Sequence, residues 1–292
     1  MKVVIPMSGM GQRFVDKGYV APKPLLVVDG KMIIEHILDM FDRENDEFIF
    51  IVNSKHEFEN NISKVVSGLV KNSKVKVIEP HKLGPVFAVM EVSDFINNDE
   101  EVIVSYCDNP YLWEYQDFKS YVVDKNLDGC IITHTGFHPH RLATTRMAYL
   151  KMSEDGLMEE IKEKESYTDD HWSEHGSTGT YYFKSGKILK KYFNECVDKN
   201  INYNGEYYVT LVYNLLVSDG LKVGKYDTDF AMVFGTPREV EHFEAWKTLI
   251  TGIQVKDEKS LLDSYRYWKK YKEKQKYLGS CLEGFNIFPF DK

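Results

Sequence analysis

Residues 2–13 read KVVIPMSGMGQR, a continuous apolar run that meets two glycines within a few residues. The run from Lys2 to Met7 predicts a short buried strand that ends at a glycine-containing turn. Residues 8–22 hold three glycines and a proline in a polar setting, which predicts a loop. Ligands of open α/β sheets bind beyond the carboxyl ends of the strands, so this loop is the first candidate binding site.

Strand and helix patterns alternate in the residues that follow. Short apolar runs predict strands, and apolar residues at helical spacing, such as Ile33, Ile34 and Ile37, predict helices. The predicted strands cover 47–52, 75–78 and 102–106, and the predicted helices cover 33–41, 57–69 and 86–96. Helices long enough for crossovers favour a mainly parallel sheet that is covered on both faces.

The pattern changes beyond residue 128. Short runs between polar loops predict strands at 129–134, 147–152, 158–163, 178–184 and 221–226, with helices at 186–197 and 207–217. We expect a three-layer α/β/α domain over 1–250, in two halves (1–127 and 128–250), with a mixed, mainly parallel sheet of Rossmann type. Residues 251–292 are expected to form a helical tail that docks on the domain, contacts another subunit or covers a site.

The composition limits the class of protein. The chain has 292 residues, with 37 Lys and Arg against 45 Asp and Glu, and a formal net charge of −8. This balance argues against a nucleic-acid binder but allows a local basic pocket for a phosphorylated small molecule. The cysteines at 107, 130, 196 and 281 show no paired spacing, and neither a leader peptide nor a membrane span is evident, so we expect a cytoplasmic protein.

Two cations stand close to the first loop in sequence. Arg13 offers a forked donor to phosphate oxygens, and the glycines let backbone N–H groups approach an anion. Lys23 lies between Pro22 and Pro24, so its backbone is stiffened. The chain has no GxxxxGK[ST] motif, and Phe14 stands where GxGxxG needs its third glycine. A P-loop NTPase and a nicotinamide enzyme are therefore disfavoured.

These residues resemble the sugar nucleotidyltransferases, or NDP-sugar pyrophosphorylases, which carry G-x-G-[TS]-R after the first strand and then P-K-x-[LM]. The chain reads GMGQR at 9–13 and PKPL at 22–25. Further matching phrases, between residues 1 and 245, are EPHKLG at 79–84, CDN at 107–109, EK at 163–164, GTYYF at 179–183, Glu206 and GTP at 235–237. Phrases at 106–108, 136–140 and 177–181 resemble a branch found in bacterial capsule and lipopolysaccharide gene sets.

The resemblance implies a GT-A-like fold and a nucleotidyltransferase that joins an NTP to a sugar phosphate or related acceptor, releases pyrophosphate and uses Mg²⁺. The product would be a surface-polysaccharide precursor. Arg13, Lys23 and Asp108 would be catalytic, with Asp108 on the metal, because such transfer needs positioning and charge neutralisation. The nucleotide would contact Ser8, Gly9, Met10, Gly11, Gln12, Arg13, Lys23, Pro80, Gly84 and Asp108. The acceptor would contact Asn109, Lys164, Gly179, Thr180 and Glu206, with Lys164 on its phosphate and Gly179 leaving room for its ring.

The chain departs from the family's pattern at two positions. Val233 stands where an aspartate often supplies a second metal ligand, and Asp227 or Asp229 would have to replace it. Pro85 follows Gly84 where a small hydroxyl residue is common, which bears on the choice of base. These departures leave open which base is used and how many metal ions bind. The sequence also does not name the acceptor or decide whether the chain forms a homo-oligomer.

The candidate residues also have simpler explanations. Asp108 could cap a turn after its strand, and Arg13 and Lys23 could be solvated loop charges. Lys164 lies in a charged run that suits a solvated strand face, and Glu206 would suit the first turn of a helix. The five histidines between residues 134 and 175 could hold a metal, face a polar acceptor or be structural; they are His134, His138, His140, His171 and His175.

Two other functions compete with nucleotidyl transfer. A GT-A glycosyltransferase would share the nucleotide-binding half, but such enzymes often hold their metal with D-x-D, and here Asp108 is followed by Asn109 and Pro110. A regulatory subunit would bind nucleotide without turnover and need not keep every charged residue of the site. Release of pyrophosphate from an NTP would separate the leading hypothesis from both.

Overall fold

The computed structural model describes residues 1–136, 138, 147–228, 230–260, 262–263 and 266. Its strands are β1 (Lys2–Pro6), β2 (Val27–Val28), β3 (Lys31–Met32), β4 (Glu47–Asn53), β5 (Ser73–Ile78), β6 (Val102–Ser105), β7 (Tyr111–Leu112), β8 (Gly129–His134), β9 (Tyr149–Met152), β10 (Met158–Lys162), β11 (His175–Phe183), β12 (Val223–Asp227) and β13 (Phe230–Ala231). Its helices are α1 (Gln12–Val15), α2 (Ile33–Leu38), α3 (Ser54–Asn60), α4 (Ile62–Ser67), α5 (Pro85–Met90), α6 (Tyr115–Asp124), α7 (Gly186–Asp198), α8 (Val209–Ser218) and α9 (Pro237–Val255). One-turn 3₁₀ helices cover Lys23–Leu25 and Ser93–Phe95.

Within the described residues, nine strands form one mixed sheet. Strands β5, β4, β1 and β6 lie side by side and run parallel. Strand β11 runs antiparallel between β6 and β8, and β12 pairs with β8 in the parallel sense. The hairpin of β9 and β10 extends the sheet from the start of β11. The expected mixed, mainly parallel sheet is confirmed.

Both faces of the sheet are buried. Alternate residues of a strand point to opposite faces, and here Val4 and Ile49 lie in one hydrophobic cluster whereas Val3 and Phe48 lie in another. Helices α5, α7 and α8 contribute to the first cluster, and α2, α4 and α6 to the second. This arrangement confirms the three layers, and it leaves the carboxyl ends of the parallel strands as the edge on which loops can form a site.

Some helices differ from the sequence-based expectation. The helix expected over 57–69 is broken at Asn61, which has a left-handed backbone with φ of 50° and separates α3 from α4. Helix α6 was missed because only Phe118 and Val122 of its ten residues are buried, so its apolar stripe is narrow. The expected loop at 8–22 contains the short helix α1.

The end of the domain also differs in detail. Helix α9 runs to Val255, so the boundary expected at residue 250 falls inside a helix. The side chain of Thr236 accepts from the amide of Glu239, and Pro237 occupies the first turn, two signals that start a helix. Most of the tail expected to be helical over 256–277 lies outside the described residues.

Among the described helices, none is both long and apolar enough to cross a membrane. The cysteines at 107, 130 and 196 are buried and free, and Cys281 lies outside the described residues.

Candidate active site

The ends of three neighbouring strands carry much of the site. The loop that begins at Ser8 follows β1, Asp108 lies three residues beyond the end of β6, and Gly179 lies in β11. Strand β6 pairs with β1 on one side and with β11 on the other. The backbone amide of Tyr106 also donates to the carbonyl of Gly179 at 2.9 Å. This bond joins the loop after β6 to residues 128–250, the half expected to bind the acceptor and called the acceptor half below.

The Lys23 ammonium and the Asp108 carboxylate form an ion pair at 2.6 Å, and both side chains are 19% exposed. Burial alone would lower the pKa of Lys23, but the charge and hydrogen bond of Asp108, together with Cys107 and Glu239, outweigh burial and the pKa lies above its usual value. Lys23 opens a one-turn helix after Pro22, so its backbone is fixed. The structure thus brings together two of the three residues expected to be catalytic.

The glycine loop lies beside Lys23. Gly11 has φ of 63°, a left-handed conformation that glycine adopts freely, and it caps the start of α1. A Cβ on Gly11 would lie 3.4 Å from the Cβ of Lys23, so the two segments are in close contact. Arg13 is exposed on α1. Its positive charge opposes the rise in the pKa of Tyr208, which belongs to the acceptor half. Gln12 donates to Asp16 at 2.7 Å.

Asn53, at the end of β4, holds the glycine loop that follows β1 through its side chain. Its side-chain amide is fully buried and donates to the carbonyl of Ser8 at 2.8 Å. The same amide lies 2.9 Å from Nδ1 of His56 and 3.7 Å from the sulfur of Met10. The sequence motifs did not single out Asn53, although an asparagine between a buried strand and a helix is a recognisable N-cap.

The segment expected to meet the base lies against the acceptor half. Gly84 has φ of 89°, and a Cβ there would lie 2.8 Å from the backbone nitrogen and oxygen of Tyr207. The amide of Tyr207 donates to the carbonyl of Leu83, and the amide of Val86 donates to the carbonyl of Tyr207. Pro85 occupies the first turn of α5, a position that suits proline because no helical hydrogen bond is lost there. Pro80 is exposed on the preceding loop.

Lys164, which is expected to hold the acceptor phosphate, lies against two tyrosine rings. The Lys164 ammonium donates to the hydroxyl of Tyr208 at 2.5 Å, and that hydroxyl donates to Glu206 at 2.9 Å. The ammonium also lies over the ring of Tyr208 at 4.5 Å and that of Tyr203 at 5.3 Å. Burial, followed by the neighbouring Glu206, raises the pKa of Tyr208. The cation and the carboxylate expected to hold the acceptor are therefore joined through one tyrosine.

Gly179 and Thr180, two further residues expected to contact the acceptor, lie next to each other in β11. Gly179 has φ of 85°, and a Cβ there would lie 2.9 Å from the side chains of Asn109 and Tyr106, so the glycine makes room for these residues. Its expected role of leaving room for a sugar ring stays a prediction. Thr180 is buried and pairs with Ser105 at 3.2 Å across β6 and β11. The expected contact of Thr180 with the acceptor stays a prediction.

Asp227, one of the two expected second metal ligands, does not reach Asp108. Asp227 lies on β12, which β8 and β11 separate from β6 by roughly 14 Å at ordinary strand spacing. Its carboxylate accepts from Thr133 at 2.6 Å and pairs with Lys225 and His175. Burial opposes the charge of Asp227, but these partners outweigh it and lower its pKa. Asp229 lies outside the described residues, and Val233 is buried.

Magnesium nevertheless suits the residues at the end of β6. In the described part of the chain, no three His, Cys, Asp or Glu side chains gather as metal ligands. Mg²⁺ does not need such a group, because it binds one or two carboxylates together with phosphate oxygens and water. Asp108 supplies a carboxylate beside Gly235, where a Cβ would come within 3.2 Å of its Oδ2 atom and fill the space. The donor set and this space fit the cation.

Two of the described histidines, His134 and His138, are buried against each other. His138 is buried, its Nδ1 accepts from the amide of Ala231 at 3.1 Å, and its Nε2 lies 3.0 Å from the carbonyl of Thr135. These partners define a neutral ring that carries its proton on Nε2. His134 packs edge-on against His138 with ring centroids 4.6 Å apart. His140 lies outside the described residues.

Comparison with known proteins agrees with this geometry. Residues 2–214 match the sequence profile of the family described as Nucleotidyl transferase. The "Bifunctional protein GlmU" of Alkaliphilus metalliredigens is 26% identical over 232 residues, which are 78% of this chain and 47% of that protein. The GlmU of Clostridioides difficile is 24% identical over 229 residues, 77% of this chain and 46% of that protein. The chain spans about half the length of the curated relatives it matches.

Solved structures share the fold. The nucleoside-diphosphate-sugar pyrophosphorylase from Vibrio cholerae RC9 gives a TM-score of 0.66 at 21% identity, over 82% of this chain and 98% of that one. The inositol-1-phosphate CTP transferase from T. maritima gives a TM-score of 0.64 at 14% identity, over 83% and 94% of the two chains.

The fold and the site together define an α/β protein whose candidate site lies at the carboxyl edge of its sheet. The family profile covers well over half of the chain, and the chain therefore belongs to the Nucleotidyl transferase family. This confirms the family that the motifs around Gly9, Arg13 and Lys23 indicated.

Proposed function

We propose that the protein transfers a nucleotidyl group from an NTP to a sugar phosphate or a related phosphorylated acceptor. An oxygen of the acceptor phosphate would attack the α-phosphorus, the bond from that phosphorus to the bridging oxygen would break, and pyrophosphate would leave. The observation that carries the proposal is the Lys23–Asp108 ion pair, which lies beside the glycine loop of this chain. The chain belongs to the Nucleotidyl transferase family. Membership of the family and the names of the relatives support the same reaction class.

The residues of the two halves would divide the work. In the nucleotide half, the glycine loop would approach the nucleotide through its backbone, and Lys23 and Arg13 would neutralise the charge of the departing pyrophosphate. In the acceptor half, Lys164 would hold the acceptor phosphate, and Glu206 would accept hydrogen bonds from acceptor hydroxyls. Bound Mg²⁺ would neutralise phosphate charge, with Asp108 as a ligand. The chain itself would position the two phosphates, the main requirement of such transfer.

A substrate panel tests the proposal. Pyrophosphate release would be measured with Mg²⁺, each of ATP, GTP, CTP, UTP and dTTP, and a set of sugar and polyol phosphates. We expect release with one pair of substrates, and a loss of kcat of about 10²–10³-fold in Lys23→Ala and in Asp108→Asn, because each change removes a preorganised charge at the reacting phosphates.

A second ion pair provides the matched control. Lys191 and Asp219 lie 2.7 Å apart on exposed positions of α7 and the end of α8. Lys191→Ala and Asp219→Asn should leave kcat at the wild-type value. Hydrolysis or sugar transfer from an NDP-sugar, without pyrophosphate release from any NTP, would instead identify a glycosyltransferase. Nucleotide binding by calorimetry without any turnover would favour a regulatory subunit.

The proposal extends to the setting of the reaction. A role in surface-polysaccharide synthesis rests on the phrases at 106–108 and 177–181, and the substrate panel would support it by naming an acceptor of that class. A cytoplasmic location is consistent with the NTP substrate and with the free thiols of Cys107, Cys130 and Cys196.

A further inference from the structure

The segment at 230–235 brings helix α9 to the end of β6. Strand β13 pairs antiparallel with β7, and the amide of Met232 donates to the carbonyl of Pro110 at 2.8 Å. The amide of Phe234 then donates to the backbone carbonyl of Asp108 at 2.7 Å. Gly235 is therefore held directly beside Asp108, and α9 begins two residues later.

A second carboxylate lies beside Gly235. A Cβ at Gly235 would come within 3.2 Å of Oδ2 of Asp108 and within 3.2 Å of Oε2 of Glu239. The two oxygens thus approach the same point from two different segments of the chain. Any side chain at position 235 would enter the space between them, which explains why this position suits glycine.

Glu239 is buried near positive charge. It is 1% exposed, and it adds to the charges that raise the pKa of Lys23, after Asp108 and Cys107. Removing a carboxylate from water is costly unless nearby cations or donors compensate. Lys23 acts on both Asp108 and Glu239, and a divalent cation bound by the two carboxylates would be attracted by the negative charge of both.

We propose that Glu239 supplies the second carboxylate of the magnesium site and takes the place of the ligand that Val233 lacks. The inference rests on the proposed function, because it assumes that Asp108 holds the metal. The second ligand would come from the first turn of a helix instead of the strand before it. This placement assigns the role to neither Asp227 nor Asp229.

A structural role for Glu239 must be separated from this one. Thr236 caps α9, and a glutamate three residues after a threonine cap is the pattern of a capping box. Glutamine fulfils the same capping role, so Glu239→Gln keeps the helix start and removes only the charge. Glu241 is exposed on the same helix, and Glu241→Gln is the matched control.

Binding of Mn²⁺ tests the inference without turnover. Mn²⁺ shares the preference of Mg²⁺ for carboxylate and phosphate oxygens, and its binding is measured by the relaxation of water protons. The full chain would be titrated with Mn²⁺ in the presence of pyrophosphate, which avoids any choice of base. We expect Glu239→Gln and Asp108→Asn each to weaken binding at least about tenfold, the usual scale for disturbing a metal site.

Further variants sharpen the result. Gly235→Ala should also weaken Mn²⁺ binding, because its methyl group would enter the space between the carboxylates, and Glu241→Gln should bind as the wild type does. Circular dichroism would establish that each variant is folded. Wild-type affinity in a folded Glu239→Gln protein, beside weak binding in Asp108→Asn, would overturn the inference and leave Glu239 as a cap. A wild-type chain that binds no Mn²⁺ would overturn it as well.

The proposed function has a separate readout. Pyrophosphate release by the wild-type protein supports that function whatever the Mn²⁺ affinity of Glu239→Gln. Its failure with every substrate pair would contradict the function, whereas an unchanged affinity in Glu239→Gln contradicts only the second ligand.

Discussion

At the scale of single residues, the site depends on close approaches between segments that are far apart in sequence. Lys23 reaches Asp108 across 85 positions, and Gly84 contacts the backbone of Tyr207. The second contact links the segment expected to meet the base with the segment that carries Glu206. Glycine at position 84 is required both by its backbone conformation and by the lack of space.

Substitution of Gly84 should therefore be costly. Gly84→Ala would strain a backbone at φ of 89° and place a methyl group 2.8 Å from Tyr207. We expect a loss of about 1–3 kcal/mol from the backbone strain alone, with a further loss from the contact. Gly156 has φ of 80° and open space around it, so Gly156→Ala measures the effect of a side chain at positive φ without the contact. Equal losses in the two variants, measured by urea unfolding, would contradict the account.

At the scale of elements, the junction between β4 and α3 supports the nucleotide loop. The side chain of Asn53 caps α3 by accepting from the amide of His56, and it donates to Ser8 on the neighbouring strand end. One residue thus starts a helix and fixes the loop that follows β1. The ring of His56 accepts from the remaining Asn53 N–H only while its Nδ1 carries no proton.

This junction should respond to pH. Burial lowers the pKa of His56, so the folded state favours the neutral ring. The resulting stability is complete above the unfolded pKa of about 6.5 and is lost as the pH falls through the lowered pKa of the folded state. We expect the KM for the NTP to rise only as the pH falls through the lowered pKa of His56 in the folded protein, because protonated Nδ1 would face the amide that holds Ser8. Steady-state kinetics of His56→Gln should lack this rise, and the same pH profile in both proteins would exclude His56 as the cause.

The elements also show what the sequence could and could not reveal. The strands of the sheet follow from continuous apolar runs, since both faces are buried. The break at Asn61 could not be read from periodicity, because Ile62 and Val66 continue the apolar positions of the helix before it. Helix α9 was not predicted, although Thr236 and Pro237 are a start signal that the sequence contains.

At the scale of the whole molecule, one edge of the sheet carries both the residues expected to bind the nucleotide and those expected to bind the acceptor. The nucleotide group lies at the ends of β1, β4 and β6, and the acceptor group comes from β11, the Lys164 segment and the Glu206–Tyr208 segment. Motif resemblance placed most of these residues along the chain. It could not show that Thr180 is buried in the sheet, that Asp227 lies three strands from β6 or that Glu239 approaches Asp108, because each depends on contacts between distant segments.

The central claim is that the α-phosphoryl group of an NTP passes, with its nucleoside, to a phosphorylated acceptor. The most direct measurement uses one NTP labelled with ³²P either at the α or at the γ position, together with the acceptor found in the substrate panel. We expect the α label in the product with the acceptor and the γ label in pyrophosphate. Appearance of the γ label in the acceptor, or of neither label in these two products, would contradict it.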